Sequence, residues 1–105
     1  MITTQVFDST LGQPASRVPV ELDVFITGHG WRQIGQGLTC NDGRIADFGE
    51  PHTAGIYRLN YDVAAYAPEA LFPSISITID ARDPAEPCHM VLLLSPYSYS
   101  TYRGA

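Results

Sequence analysis

The sequence contains no lysine: its six basic residues are all arginine, and they face 11 acidic residues, for a formal net charge of -5. The arginines are scattered along the chain and form no run. Binding to a phosphate backbone or to an anionic membrane surface requires clustered positive charge. We therefore expect no nucleic-acid partner and no membrane partner.

Long apolar runs are also missing. No stretch approaches the roughly 18 residues that a membrane-spanning helix needs, and the segment 2–6 (ITTQV) is not a charged and then apolar leader. Cysteine is scarce, with only Cys40 and Cys88, and this usage predicts buried free thiols rather than a disulfide. We expect a cytoplasmic protein.

The length of 105 residues predicts a single domain that spans 1–105, without a linker or an internal repeat. One chain of this size builds a modest core, so association with further copies is a reasonable expectation.

Turn-forming residues recur at short intervals, and the segments between them are rich in Val, Ile, Thr, Phe and Tyr, which is typical of an all-β sandwich or barrel of antiparallel strands. The clearest strand is 74–80, where isoleucine alternates with Ser, Thr and Asp. The segment 62–66 predicts one short helix that ends before Pro68. Seven strands are predicted, at 3–7, 18–25, 33–38, 55–60, 74–80, 90–94 and 98–102.

A series of motifs spans nearly the whole chain in order: 2–8 (ITTQVFD), 11–15 (LGQPA), 41–44 (NDGR), 55–59 (GIYRL), 89–96 (HMVLLLSP) and 100–105 (STYRGA). Together they resemble the transthyretin-related 5-hydroxyisourate hydrolases. In that family the carboxyl-terminal Tyr-Arg-Gly separates the enzymes from the hormone-carrying transthyretins.

The resemblance implies a transthyretin-like sandwich of two antiparallel sheets, with about seven to eight strands and one short helix. It also implies a homotetramer, built as a dimer of dimers, with active sites in the channel where the dimers meet. The implied reaction opens the ring of 5-hydroxyisourate, an anionic heterocycle of urate (purine) degradation, by hydrolysis without a metal or an organic cofactor.

Three residues match the catalytic positions of the family. Arg44 carries a planar fork of donors that suits a flat anion with adjacent oxygens. His89 is the side chain best placed to take a proton from water near neutral pH. Gln5 stands where the family has a second histidine; its neutral amide orients a water but has no proton affinity to act as a base.

Tyr102, Arg103 and Gly104 match the terminal signature and are the predicted substrate-binding residues. Arg103 has two readings: a cationic wall with Arg44, or an ion pair with an acidic neighbour across a subunit boundary. The family usually ends in serine, and Ala105 lacks that hydroxyl.

Cys88, His29 and His52 are three further residues with side chains that could carry chemistry. Cys88, which follows Pro87 and precedes His89, is either a nucleophile or, as we favour, a packing residue, since nothing in the sequence lowers its pKa. His29 and His52 lie in Gly- and Pro-rich turns without metal-ligand spacing, which predicts surface positions.

Three functional hypotheses follow from these residues. The first is a 5-hydroxyisourate hydrolase. The second is a divergent relative that acts on another cyclic amide or imide-like compound, because Gln5, Pro87 and Ala105 all depart from the family pattern around one site. The third is a non-catalytic small-molecule carrier, against which the terminal Tyr-Arg-Gly argues.

Overall fold

The computed structural model describes residues 2–48, 53–83 and 85–104, and these residues form nine strands arranged in two sheets. The strands in chain order are β1 (Ile2–Asp8), β2 (Gln13–Pro14), β3 (Pro19–Ile26), β4 (Gly30–Leu38), β5 (Arg44–Ile45), β6 (Gly55–Asp62), β7 (Ser74–Ala81), β8 (Cys88–Leu94) and β9 (Tyr99–Gly104).

The first sheet, sheet A, has the order β2-β1-β8-β9, and β5 pairs with the same edge of β1 as β2 does, nearer the start of that strand. The second, sheet B, has the order β4-β3-β6-β7. Side chains alternate between the two faces of each strand, so each sheet turns one face to the other. The core lies between them.

Alternation assigns the core side of each strand. In β1 the even-numbered residues Thr4 and Val6 are fully buried while Gln5 is half-buried, and in β6 the odd-numbered Tyr57, Leu59 and Tyr61 are buried. Thr4 is a fully buried polar side chain whose hydroxyl is satisfied, because Thr4 Oγ1 lies 2.7 Å from the Tyr61 hydroxyl and donates to the Met90 carbonyl at 2.8 Å. Burial raises the pKa of Tyr61 to about 12.

All seven predicted strands are confirmed, and the largest boundary error is at β4, which begins at Gly30 rather than at 33. β2 and β5 were not predicted, since two residues each are too short for a periodic pattern. The expectation of an entirely antiparallel sandwich is wrong for one pair, because β1 and β8 run parallel. No hairpin joins these two strands, so the path of the chain between the sheets sets their direction.

The predicted helix at 62–66 is wrong: Asp62 is the last residue of β6, residues 64–66 form a turn, and the described residues contain no helix. The Val63 carbonyl accepts from the Ala67 amide at 2.7 Å, as in an α-helix, and also from the Tyr66 amide at 3.0 Å. Pro68 has no amide hydrogen for the next bond, so the turn cannot grow into a helix. The Tyr66 hydroxyl donates to the Asp8 carboxylate at 2.7 Å and anchors this turn to the end of β1.

Both cysteines are free thiols, as predicted, but the expectation of burial is wrong for Cys40, which is exposed, whereas Cys88 is half-buried. Within the described ranges, no helix has the length and apolar character needed to cross a membrane.

Candidate active site

Six of the predicted site residues lie on β1, β5, β8 and β9, all in sheet A, and the strand register decides which of them share a face. Paired residues on neighbouring strands point to the same side of a sheet. The side turned away from the core, called here the outer face of sheet A, carries Thr3, Gln5, Phe7, Arg44, His89, Val91, Leu93, Ser100, Tyr102 and Gly104.

Two rows of this face contain the chemistry. In one row Arg44 pairs with Gln5, which pairs with Val91, and Val91 in turn pairs with Tyr102. In the adjacent row Thr3, His89 and Gly104 follow one another across the sheet. Residues that lie as far apart in the sequence as 5, 44 and 91 thus become direct neighbours. The structure brings together five of the six predicted residues, all except Arg103.

His89 is held from both sides. Its Nδ1 lies 2.7 Å from Thr3 Oγ1 on β1. On the β9 side, Gly104 leaves room for the ring, since a Cβ at that position would lie 3.0 Å from His89 Cδ2 and 3.2 Å from Val91 Cγ2. The imidazole therefore lies between Thr3 on one neighbouring strand and Gly104 on the other.

The electrostatics favour the neutral form of this imidazole. Burial, and then the positive charge of Arg44, lower the pKa of His89 below its ordinary value of about 6.5. A histidine that is neutral at neutral pH has a free nitrogen lone pair and can accept a proton from water.

Replacing Gly104 tests the fit of the ring. We expect Gly104→Ala to displace the His89 imidazole by a few tenths of an ångström and to lower the rate of any reaction that His89 catalyses by about tenfold, because small misplacements of a catalytic group are costly. Steady-state kinetics measure the effect. Gly55→Ala is the matched control, since its Cβ meets only Tyr57 Cε1 at 3.7 Å; equal losses in both variants would contradict the expectation.

A tight turn positions Arg44. The Gly43 amide donates to the Cys40 carbonyl at 2.9 Å, and the Arg44 amide donates to the Asp42 carboxylate at 3.1 Å. The Arg44 side chain stays 56% exposed, and its only ion pair among the described residues is a loose one, 4.0 Å from Asp42. Arg44 thus keeps donors available for an anionic ligand beside His89.

The side chain of Gln5, on β1, lies beside Arg44 on the outer face of sheet A. Its Nε2 donates to the Asp42 carbonyl at 3.2 Å, and its side-chain oxygen has no partner among the described residues. The amide is therefore oriented with its acceptor free. Tyr102 lies on the same face one strand beyond Val91 and is 54% exposed.

Arg103 is the predicted site residue that the structure places elsewhere. It pairs with Met90 and points to the opposite side of β9 from Tyr102 and Gly104. There its NH2 donates to the Pro87 carbonyl at 3.1 Å and lies 3.5 Å from the Glu86 carboxylate. This placement agrees with the ion-pair reading, although the acidic partner belongs to the same chain. Strand alternation across 102–104 is the signal that could have shown it.

Cys88 also lies on the core side of β8, opposite Ile2. Burial raises the pKa of its thiol, although the nearby Arg103 charge lowers it in part. A raised pKa means less thiolate, which supports the packing role over a nucleophilic one.

The remaining residues lie apart from the site. His29 is an exposed turn residue, as predicted, whereas His52 and Ala105 lie outside the described residues. In the described part of the chain, no group of three His, Cys, Asp or Glu side chains is close enough together to hold a metal ion.

Thr3 is a residue of this site that is not among the residues predicted from the sequence. Alternation places it on the same side of β1 as Gln5, and this signal was available. Its contact with His89 was not predictable in the same way, because it depends on the parallel pairing of β1 with β8.

The two-sheet sandwich of this chain is of the transthyretin-like class. The model of the HIUase/Transthyretin family matches residues 2–104, and the chain belongs to this family. It is 33% identical over 111 residues to the 5-hydroxyisourate hydrolase of Salmonella dublin, covering 100% of this chain and 81% of that protein.

Two further comparisons agree. The chain is 38% identical over 119 residues to the uric acid degradation bifunctional protein of Arabidopsis thaliana; the match covers 99% of this chain but spans only 37% of the Arabidopsis protein. Sea bream transthyretin, solved in complex with thyroxine, superposes with a TM-score of 0.91 at 28% identity, over 98% of this chain and 93% of that one.

Proposed function

We propose that this protein is a hydrolase that opens the ring of 5-hydroxyisourate in urate degradation. The observation that carries the proposal is the position of His89: half-buried, with a lowered pKa, and on one face with Arg44 and Gln5. The names of the Salmonella and Arabidopsis relatives support the substrate and the pathway.

In the proposed reaction His89 is the general base. It takes a proton from a water whose oxygen adds to a ring carbonyl carbon, and Arg44 stabilises the negative charge on the carbonyl oxygen. The carbon–nitrogen bond of the ring then breaks, and His89 returns the proton to the leaving nitrogen. Water is consumed, a carboxyl group and an N–H are formed, and the reaction needs no metal and no organic cofactor.

The other residues of the face bind the substrate and orient the attacking water. Gln5, with its side-chain oxygen free, accepts a hydrogen bond from the attacking water, and Tyr102 contacts the substrate from β9. Arg103 holds the segment before β8 through Glu86 and Pro87 rather than forming a wall with Arg44.

A homotetramer and a cytoplasmic location are part of the proposal. The outer face of sheet A has half-buried Phe7 and Leu93 and an exposed Tyr102, a surface that a second copy would cover. The two free thiols suit a reducing compartment.

Gln5→His tests the site. Freshly generated 5-hydroxyisourate is added, and the loss of its ultraviolet absorbance is followed above the spontaneous rate. We expect measurable turnover by the wild type and a rate at least about tenfold higher for Gln5→His, because the substitution supplies a second proton-transfer group.

Gln33→His is the matched control, since Gln33 lies exposed on β4 of the other sheet. A wild type as fast as the related hydrolases, with no gain from Gln5→His, would show that Gln5 is no handicap. No turnover by either protein would refute the proposed substrate.

A second candidate function is ring opening of a different cyclic amide or imide-like compound. Two observations favour it: Gln5 stands in place of a histidine, and Arg103 lies on the opposite face, so Arg44 has no second arginine beside it among the described residues. This candidate holds if 5-hydroxyisourate is not consumed while another ring-opening activity is lost in His89→Ala.

A further inference from the structure

Thr3 is a polar side chain of the outer face of sheet A to which the proposed mechanism gives no role, and it contacts His89 directly. It is half-buried, it sits directly opposite His89 in the parallel pair of β1 and β8, and its hydroxyl lies 2.7 Å from His89 Nδ1. This distance is that of a strong hydrogen bond.

The donor and acceptor in this contact depend on the tautomer of the His89 ring. In a neutral histidine one ring nitrogen carries the proton and the other carries the lone pair, and the hydrogen bond made by one nitrogen sets the state of the other. If Nδ1–H donates to Thr3 Oγ1, then Nε2 keeps its lone pair and can act as a base. A hydroxyl can also accept from Nδ1–H after Nε2 has taken a proton, so one contact serves both states of the ring.

The other neighbouring strand, β9, accommodates the same orientation of the ring. His89 Cδ2 lies on the β9 side, where Gly104 leaves the space for it, while Nδ1 lies on the β1 side. With these two edges of the ring placed against neighbouring strands, Nε2 and Cε1 are the ring atoms farthest from the backbone. The ring is therefore presented with Nε2 outward.

We propose that Thr3 is the positioning residue of His89: its hydroxyl accepts a hydrogen bond from Nδ1–H and holds the tautomer in which Nε2 is the base. The inference rests on the proposed function for its catalytic consequence, but the tautomer itself is independent of any substrate. Thr3 touches no reacting atom and acts only through His89.

The test uses Thr3→Val, which keeps the shape of the side chain and removes the hydroxyl, and Thr3→Ser, which restores it. Long-range proton–nitrogen NMR spectra at a pH where histidine is neutral report the tautomer, and the spectrum of His89→Ala assigns the signals of His89. We expect the Nδ1–H tautomer in the wild type and in Thr3→Ser, and a mixture of tautomers in Thr3→Val.

Kinetics on 5-hydroxyisourate form the second readout. We expect kcat of Thr3→Val to fall by roughly tenfold, the size of one hydrogen bond to a group that becomes charged, with KM within about twofold of the wild type. Thr3→Ser should recover most of the loss. The control is Thr101→Val on β9, which removes a 2.7 Å hydrogen bond to the Val91 carbonyl on the core side of the same sheet.

The outcomes separate the two proposals. A wild type that carries Nε2–H, or a tautomer pattern that does not change in Thr3→Val, overturns the positioning role whatever the kinetics show. A wild type that does not consume 5-hydroxyisourate refutes the proposed substrate, while the NMR arm still decides the role of Thr3. Equal kinetic losses in Thr3→Val and Thr101→Val would assign the effect to the sheet and overturn the inference.

Discussion

His89→Ala is expected to lower kcat/KM for 5-hydroxyisourate by at least about 100-fold, because a general base contributes roughly 10² to 10⁴ to the rate. The substitution removes the ring that Thr3 and Gly104 hold, and the remaining residues of the face offer no equivalent base: Gln5 has no proton affinity near neutral pH, and Arg44 stays charged. His89→Gln is a second variant that retains a hydrogen-bonding side chain, so a loss common to both reports the missing base.

His29→Ala is the control for this experiment, since His29 lies exposed in the turn between β3 and β4. It should retain the wild-type rate. A His89→Ala protein that is folded by circular dichroism and keeps more than about a tenth of the activity would contradict the role of His89 as the base.

The same assignment fixes the sign of the pH dependence. The base acts when neutral, so kcat/KM falls as the pH falls through the pKa of His89, and burial and the Arg44 charge lower that pKa below about 6.5. Arg44→Gln removes one of the two causes, and we expect the acid limb of the profile to move to higher pH. An acid limb above pH 7 in the wild type would contradict this.

Gly43→Ala is expected to lower the free energy of unfolding by at least about 2 kcal/mol, which is about 10 °C in Tm for a domain of this size. Gly43 has a φ of 77°, in the left-handed region, and a Cβ there would clash with the Val6 carbonyl oxygen and lie 3.2 Å from Pro14 Cβ. The close approach to β1 is part of the fold, because the Val6 amide donates to the Gly43 carbonyl at 2.8 Å.

We also expect Gly43→Ala to displace Arg44, because Gly43 immediately precedes Arg44 in the chain. Thermal unfolding measures the stability, and the binding of an anionic substrate analogue measures the displacement of Arg44. Gly12→Ala is the matched control: its φ is 68°, yet nothing lies within 4 Å of the added Cβ. It should cost about 1 kcal/mol, and a Gly43→Ala protein as stable as Gly12→Ala would refute the clash.

The sequence predicted the strands well where the alternation was complete. In β7, Ile75 is buried while Ser76 is exposed, as the pattern of isoleucines indicated. The prediction from sequence failed for the segment 62–66, because a helical composition does not form a helix when a proline removes the next hydrogen bond.

The site, like the strands, was predicted correctly in one part and wrongly in another. Arg44 and His89 were predicted as site residues from their motifs. In the structure both lie on one face of sheet A with Gln5. The cationic pair of Arg44 and Arg103 was not found in the structure, because neighbouring residues of a strand point to opposite sides and Arg103 follows Tyr102 directly.

By itself, then, the sequence determined the number of long strands and, in the alternating strand β7, the side that meets the core, because these follow from the composition and the two-residue period within one segment. Which strands become neighbours was decided only by the tertiary structure. The parallel pairing of β1 with β8 places Thr3 beside His89, and the pairing of β5 with β1 places Arg44 beside Gln5. Such contacts join residues about 40 to 90 positions apart and depend on how the two sheets pack, so no local pattern encodes them.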